Sequence, residues 1–174
     1  MLTKADIEKF FLAEKQTGLL ILIIGAIALV LGVIFMLVFR TALFKGVAWP
    51  LLLIGGFELF VGFSIYKRAD AERIRLVYSY DMNPSVLKQE ELPRLQHATS
   101  QMNIYRMVEL GLALLGLILM IYFRSEAERS FWVGLGLSLI IQCMIMFVIE
   151  TGALNRAKEY TRKLSAYLAA WPQN

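Results

Sequence analysis

Four stretches of this chain, residues 18–39, 47–66, 104–123 and 131–151, each run for about 20 residues with no more than two acids or bases. At about 1.5 Å of rise per residue, a helix of that length covers about 30 Å, the thickness of a bilayer's hydrocarbon core. The rest of the composition agrees, since 58% of the 174 residues are apolar and 18% are charged, against roughly 25% charged in a soluble domain. Apolar residues gathered into blocks have no protein core large enough to hide in, so lipid must take them. The expected fold is all-α, a polytopic membrane four-helix bundle occupying 1–174 as one membrane domain.

The connections 40–46 and 124–130 are long enough only for tight antiparallel turns, whereas 67–103 is a long polar segment. Arg40, Lys45, Arg124 and Arg129 lie on one side of the four spans, and every other Lys and Arg lies on the side of that segment and the termini. The positive-inside rule makes the richer side cytoplasmic. Trp49, Trp132 and Tyr122 mark one membrane boundary, and Tyr66 and Tyr105 the other, as aromatic belts do. The net charge of +4 is accounted for by these flanking groups, so no nucleic-acid stripe is expected. Cys143 is the single cysteine, which leaves no disulfide, CxxC pair or zinc cluster to form. The first apolar block is longer than a signal-peptide core and is expected to remain as a true span. A bacterial inner membrane suits such a chain.

Leu31 to Arg40 reads LGVIFMLVFR and Leu115 to Arg124 reads LGLILMIYFR, with six identities in ten positions and no gap. Trp49 and Trp132 follow at nearly equal distances, which points to two duplicated transmembrane hairpins. Both start from the cytoplasm, so the duplication is parallel about an axis along the membrane normal.

Amphipathic helices are expected beyond the membrane at 3–17, 67–80, 85–103 and 152–170. The first opens on a Thr3-x-x-Asp6 capping pattern and carries Ile7, Phe10 and Phe11 at helical spacing. The last places Leu154, Ala157, Thr161, Leu164, Leu168 and Trp171 at steps of three and four. Asp81 to Pro84 reads as a turn, with a helix beginning near Pro93 leading back to the third span. These extensions either pack together as a second storey or lie flat on anionic lipid.

Glu58 is the sharpest candidate for function, because an ionised group at mid-span costs roughly 2.5–3.5 kcal/mol on the insertion scale. It shares a face with Gly55 and Gly62 and should point at a neighbouring helix, with Gln142 on the stripe Gly134, Ser138, Gln142 as its expected partner. One reading is a neutral structural hydrogen bond, the other a proton-coupled site. Arg106 and Glu109 are three residues apart and are expected to form an interfacial ion pair, while Glu150 is expected to be solvated at the interface. Tyr78, Tyr80 and Asp81 at the tip of the cytoplasmic hairpin form a candidate partner-binding cluster.

With one histidine, His97, outside the spans, neither a metal site nor haem ligation is expected, and no cofactor is implied. No GxSxG, HExxH or P-loop pattern occurs and no nucleophile–base pair can be assembled, so enzymatic activity is not expected. Two functional expectations remain. The first is a non-enzymatic protein that acts by binding another protein, as an accessory, assembly or immunity-type factor, with a protein partner or a second copy of itself. The second is a small proton-coupled transporter or channel using Glu58. Polar residues within the spans are sparse for a hydrated ion path, which favours the first.

Overall fold

The computed structural model of the protein describes residues 2–170, which form four long antiparallel helices and, among the described residues, no strand. Helix α1 spans Lys4–Phe39, α2 Ala42–Met82, α3 Pro84–Phe123 and α4 Ser130–Ala170. All four are long and apolar enough to cross a membrane. Each membrane-spanning section continues into its polar extension without a break, so what the sequence divides by polarity is a single rod. Backbone hydrogen bonding carries the helix through the change of surroundings, since i to i−4 bonding does not depend on what the side chains face.

Local chemistry sets the ends. Thr3 caps α1 through a full capping box: its hydroxyl accepts from the Asp6 N–H at 3.2 Å, and the Asp6 carboxylate accepts from the Thr3 N–H at 2.9 Å. The far end of α1 widens into a π turn over Phe35–Phe39 and stops at Arg40, whose φ of 49° is left-handed and whose Nε donates to the Leu37 carbonyl at 2.8 Å. Thr41 then caps α2 by accepting from the Phe44 N–H. Helix α3 begins at Pro84, one residue before the expected helix over 85–103 and nine before Pro93, the expected start of its return toward the membrane. Proline's fixed φ suits a first helical position, and a π turn over Leu87–Glu91 carries the rod on to Leu92–Phe123.

Packing differs between the two halves of the rods. In the membrane-spanning half, large side chains face outward: Val38, Phe60, Met107 and Val148 are each about two-thirds or more exposed, at 69%, 68%, 73% and 67%. The buried positions there are mostly small. Gly18, Gly25 and Gly32 of α1 recur every seven residues and meet the Gly55 and Gly62 face of α2. A methyl carbon placed at Gly62 would stand 2.4 Å from the Leu22 nitrogen, and one at Gly25 would stand 2.6 Å from the Leu59 nitrogen. Helices α3 and α4 approach in the same way across Gly116 and Gly136. Lipid supplies no hydrophobic drive between helices, so close backbone contact over small residues takes its place.

The half beyond the spans carries a core of soluble type. Leu2, Ile7, Phe11, Leu76, Leu87, Leu95, Tyr160 and Leu164 form one buried cluster drawn from all four helices. Full burial of each such aliphatic or aromatic side chain contributes about 1.5–3 kcal/mol. The extensions therefore pack together as a second storey instead of lying separately on a surface. Trp171, at the end of the expected tail stripe, lies outside the described residues. Ion pairs ring the storey, with Lys163 donating to Asp6 at 2.8 Å and Lys15 to Asp70. Glu91, fully buried, receives Arg94 bidentately at 2.7 and 2.8 Å, and the guanidinium lies 5.6 Å from the centre of the Phe11 ring. Burial pushes the Glu91 carboxyl above the usual carboxylate range, against the pull of Arg94.

Candidate functional site

Helix α2 is the central element, packed along α1 on one side and crossing α4 at its start. Near the interhelical turns the α2–α4 crossing is backbone against backbone: a methyl at Gly46 would stand 2.0 Å from the Phe131 carbonyl oxygen, and one at Gly134 would stand 2.1 Å from that of Leu43. Helix α3 is different. Its glycines are fewer, Gly111 faces open space, and α3 meets α2 beyond the spans, through the turn at Asn83, the Arg75–Glu90 ion pair and the shared core of Leu76, Leu87 and Leu95. Within the membrane-spanning half α2 and α3 therefore stand apart.

The space between them is a cavity of about 470 Å3, with walls drawn from all four helices and mostly apolar side chains. Glu58 lies on its wall at 2% exposure, and neither carboxylate oxygen has a hydrogen-bond partner. The side chain is accommodated because α1 presents Gly25 opposite it, 3.0 Å from the Glu58 Cβ by the same methyl measure. Gln142 of α4 lies beside Glu58 and also lines the cavity. Oriented to suit its neighbours, its nitrogen donates one N–H to the Pro50 carbonyl and its oxygen accepts from the Gly55 N–H, both at 3.3 Å, which leaves the amide a second N–H. Gln142 thus braces α2 around its internal proline and is also the hydrogen-bonding side chain beside Glu58.

Three more glutamates join the same wall, and Glu14 of α1, whose Oε1 pairs with Arg68, keeps a buried Oε2 without a partner. Glu109 of α3 and Glu150 of α4 each have a buried Oε2 without a partner. Counted along their helices from the aromatic boundary, Glu150 stands at the membrane edge beside Thr151. Glu109 lies four residues inside Tyr105 and Glu58 eight inside Tyr66, or about 6 Å and 12 Å deep at the helical rise. The three carboxyls form a staircase from the end that bears the termini to mid-membrane. Cys143, next to Gln142, completes the wall.

Two of the three cations near the cavity are hydrogen-bonded to protein groups. Arg94 is held by Glu91, and Arg156 donates to the Thr17 hydroxyl at 2.6 Å. Arg106 stands 4.7 Å from the centre of the Phe147 ring with its Nε buried and unpartnered, within electrostatic reach of Glu109 and Glu150 but not in the contact ion pair with Glu109 that the spacing predicts. Residues three apart on a helix are neighbours, but Glu109 faces the cavity while the guanidinium stacks on α4.

The tip of the hairpin divides. Tyr80 turns inward, its hydroxyl donating to the Leu2 carbonyl at 3.0 Å and its ring stacking on Tyr167, and Asp81 pairs with Lys4 at 2.5 Å. Tyr78 faces outward at 65% exposure, in line with Ile74 and Met82. Spacing singled out Glu58 and Gln142, while the part that Glu150 and Cys143 play in the wall was missed. The available signal was depth, with three acids at graded distances inside the same boundary on three different spans. Among the described residues no group of His, Cys, Asp and Glu is arranged to hold a metal ion. No protein-family model matches the chain, and neither a curated protein nor a solved structure is detectably similar to it.

Proposed function

We propose that the protein is a small, non-enzymatic, proton-coupled transporter of a bacterial inner membrane, with both termini in the cytoplasm. The observation that carries this reading is Glu58, whose two buried oxygens lack donors on the wall of a cavity large enough for a small molecule. A carboxyl placed for structure alone is expected to be bonded, because an unpartnered polar group in a low-dielectric setting is costly. Here the neighbouring amide gives one N–H to Pro50 and its oxygen to Gly55, so the single N–H it has left is all that Gln142 can offer the two oxygens of Glu58. A group left in that condition can alternate between binding a proton and binding a solute.

The two hairpins differ at one matched position. Matching Gly32 to Gly116 sets Gly25 against Glu109. Where the first hairpin carries a glycine that closes on α2, the second carries an acid that lines the cavity, while α3 still meets α4 at Gly116 and Gly136.

The test is exchange in liposomes. Purified protein is reconstituted around a pH-sensitive dye and challenged with a panel of small cationic, anionic and neutral solutes. At least one solute should drive an internal pH change that Glu58→Gln abolishes. If wild-type vesicles behave as empty ones across the panel, the transport reading fails.

One observation favours the other expectation, a role in binding a protein partner. Ile74, Tyr78 and Met82 lie four residues apart on the outer face of α2 beyond the spans, exposed at 65%, 65% and 68%. An apolar stripe at that spacing fits a helical partner. A stoichiometric protein that co-purifies in mild detergent and is lost on Ile74→Ser with Tyr78→Ala would support it, and a homogeneous preparation would count against it.

A further inference from the structure

We infer that the cavity takes an alkyl amine, a bilayer-soluble cation carrying N–H donors, and admits it sideways from the lipid between α2 and α3. This deepens the transport reading and rests on it for the purpose of the site, though not for the binding itself.

The walls establish the first half. They are mostly apolar, so the ligand is mostly apolar, and a volume of about 470 Å3 falls in the range of small-molecule sites. The unpartnered buried polar atoms of the lining residues are carboxylate oxygens: both of Glu58 and one each of Glu14, Glu109 and Glu150. Arg94 and Arg156, the lining bases, are already bonded to Glu91 and Thr17. A ligand that completes the site must bring positive charge and hydrogen-bond donors together. A protonated primary or secondary amine does both. A quaternary ammonium supplies charge without donors, and a carboxylate supplies neither.

The route follows from exposure. Leu53 and Phe57 of α2 are 67% and 64% exposed, Tyr105 and Val108 of α3 are 48% and 53% exposed, and all four line the cavity. Residues that face both the cavity and the surroundings are the jambs of an opening, and at this depth the surroundings are lipid. Toward the interhelical turns the backbone contact of Gly46 with Phe131 closes α2 against α4. A ligand dissolved in the bilayer therefore reaches Glu58 through the α2–α3 gap.

The chain in phosphatidylcholine nanodiscs provides the test, with decylamine, decyltrimethylammonium and decanoate added at equal mole fractions. Decylamine should raise the thermal midpoint saturably, by mass action on the folded state. The quaternary analogue should need at least tenfold more for the same shift, and decanoate should give none. Glu58→Gln with Glu109→Gln should fold with an unchanged midpoint and lose the decylamine shift. Cys143, the only thiol and part of the wall, reports occupancy. Its alkylation by N-ethylmaleimide should slow at least tenfold with decylamine, and Val108→Trp should delay the onset of that protection.

An equal shift from decyltrimethylammonium or decanoate, a shift that persists in the double variant, or a thiol inert in the empty protein would overturn the assignment. Unchanged onset in Val108→Trp would overturn the lateral route. Amine binding without exchange in liposomes sinks the transport reading and leaves this site standing. Exchange of another solute with no amine shift does the reverse.

Discussion

Gly46 lies so close to Phe131 that a methyl carbon in place of its hydrogen would stand 2.0 Å from the Phe131 carbonyl oxygen. The obstacle is backbone and cannot rotate away. Gly46→Ala should therefore destabilise the protein by about 3 kcal/mol, the upper part of the range for overpacking, read as a fall in the thermal midpoint in detergent. Gly56→Ala and Gly111→Ala are the controls. Neither position has an atom within 4 Å of the added carbon, and each should be neutral or stabilising by up to about 1 kcal/mol through helix propensity.

Gln142 ties α4 to α2 at Pro50 and Gly55. Gln142→Leu keeps the volume and removes both bonds, and it should cost about 1 kcal/mol, in line with interhelical hydrogen bonds in lipid. Chemical denaturation in mixed micelles would measure it. A loss above about 3 kcal/mol would mean that Gln142 also solvates Glu58.

The buried pair in the second storey is a sharper case. Arg94→Met strands the Glu91 carboxylate at 0% exposure and should cost about 3–5 kcal/mol. Adding Glu91→Leu should recover most of that loss, because the double variant leaves no buried charge. Recovery of less than about 1 kcal/mol would show that Arg94 stabilises through packing on Phe11.

Asp6 supplies a pH dependence. The hydrogen bond from Lys163, followed by that from Thr3, lowers its pKa from 3.8 to about 2. A folded-state pKa below the unfolded value contributes stability that is fully present above the unfolded pKa and lost as pH falls through the folded one. Asp6→Asn should thus lower the thermal midpoint at pH 7, by the equivalent of about 1 kcal/mol for the carboxylate half of the capping box and its partly exposed pair with Lys163. The gap between the two proteins should shrink between pH 4 and pH 2 and vanish below that. A gap unchanged at low pH would show that the carboxylate's charge contributes nothing.

Much of the architecture is legible without coordinates because each signal is local. The four spans follow from runs of apolar residues, and the start of α1 follows from Thr3 and Asp6, whose side chains act within one turn. Glu58 and Gln142 stand out for the same reason, as polar groups amid apolar neighbours whose solvation cost is a property of the residue itself. Arg106 and Glu109 show where local reasoning stops. Spacing places them side by side, but the Phe147 ring on α4 and the cavity beside α3 pull them apart, and neither is visible from α3 alone.

What the sequence determined by itself was the set of rods, their lengths, their caps and the positions in each that cannot face lipid, since these depend on hydropathy and on backbone bonds within a few residues. Only the tertiary structure decided that α1 closes on α2 over glycine while α3 stands away, that the extensions join in one core, and that Glu58, Glu109 and Glu150 share one cavity. Those outcomes depend on how closely two backbones approach, which is settled jointly by residues dozens of positions apart.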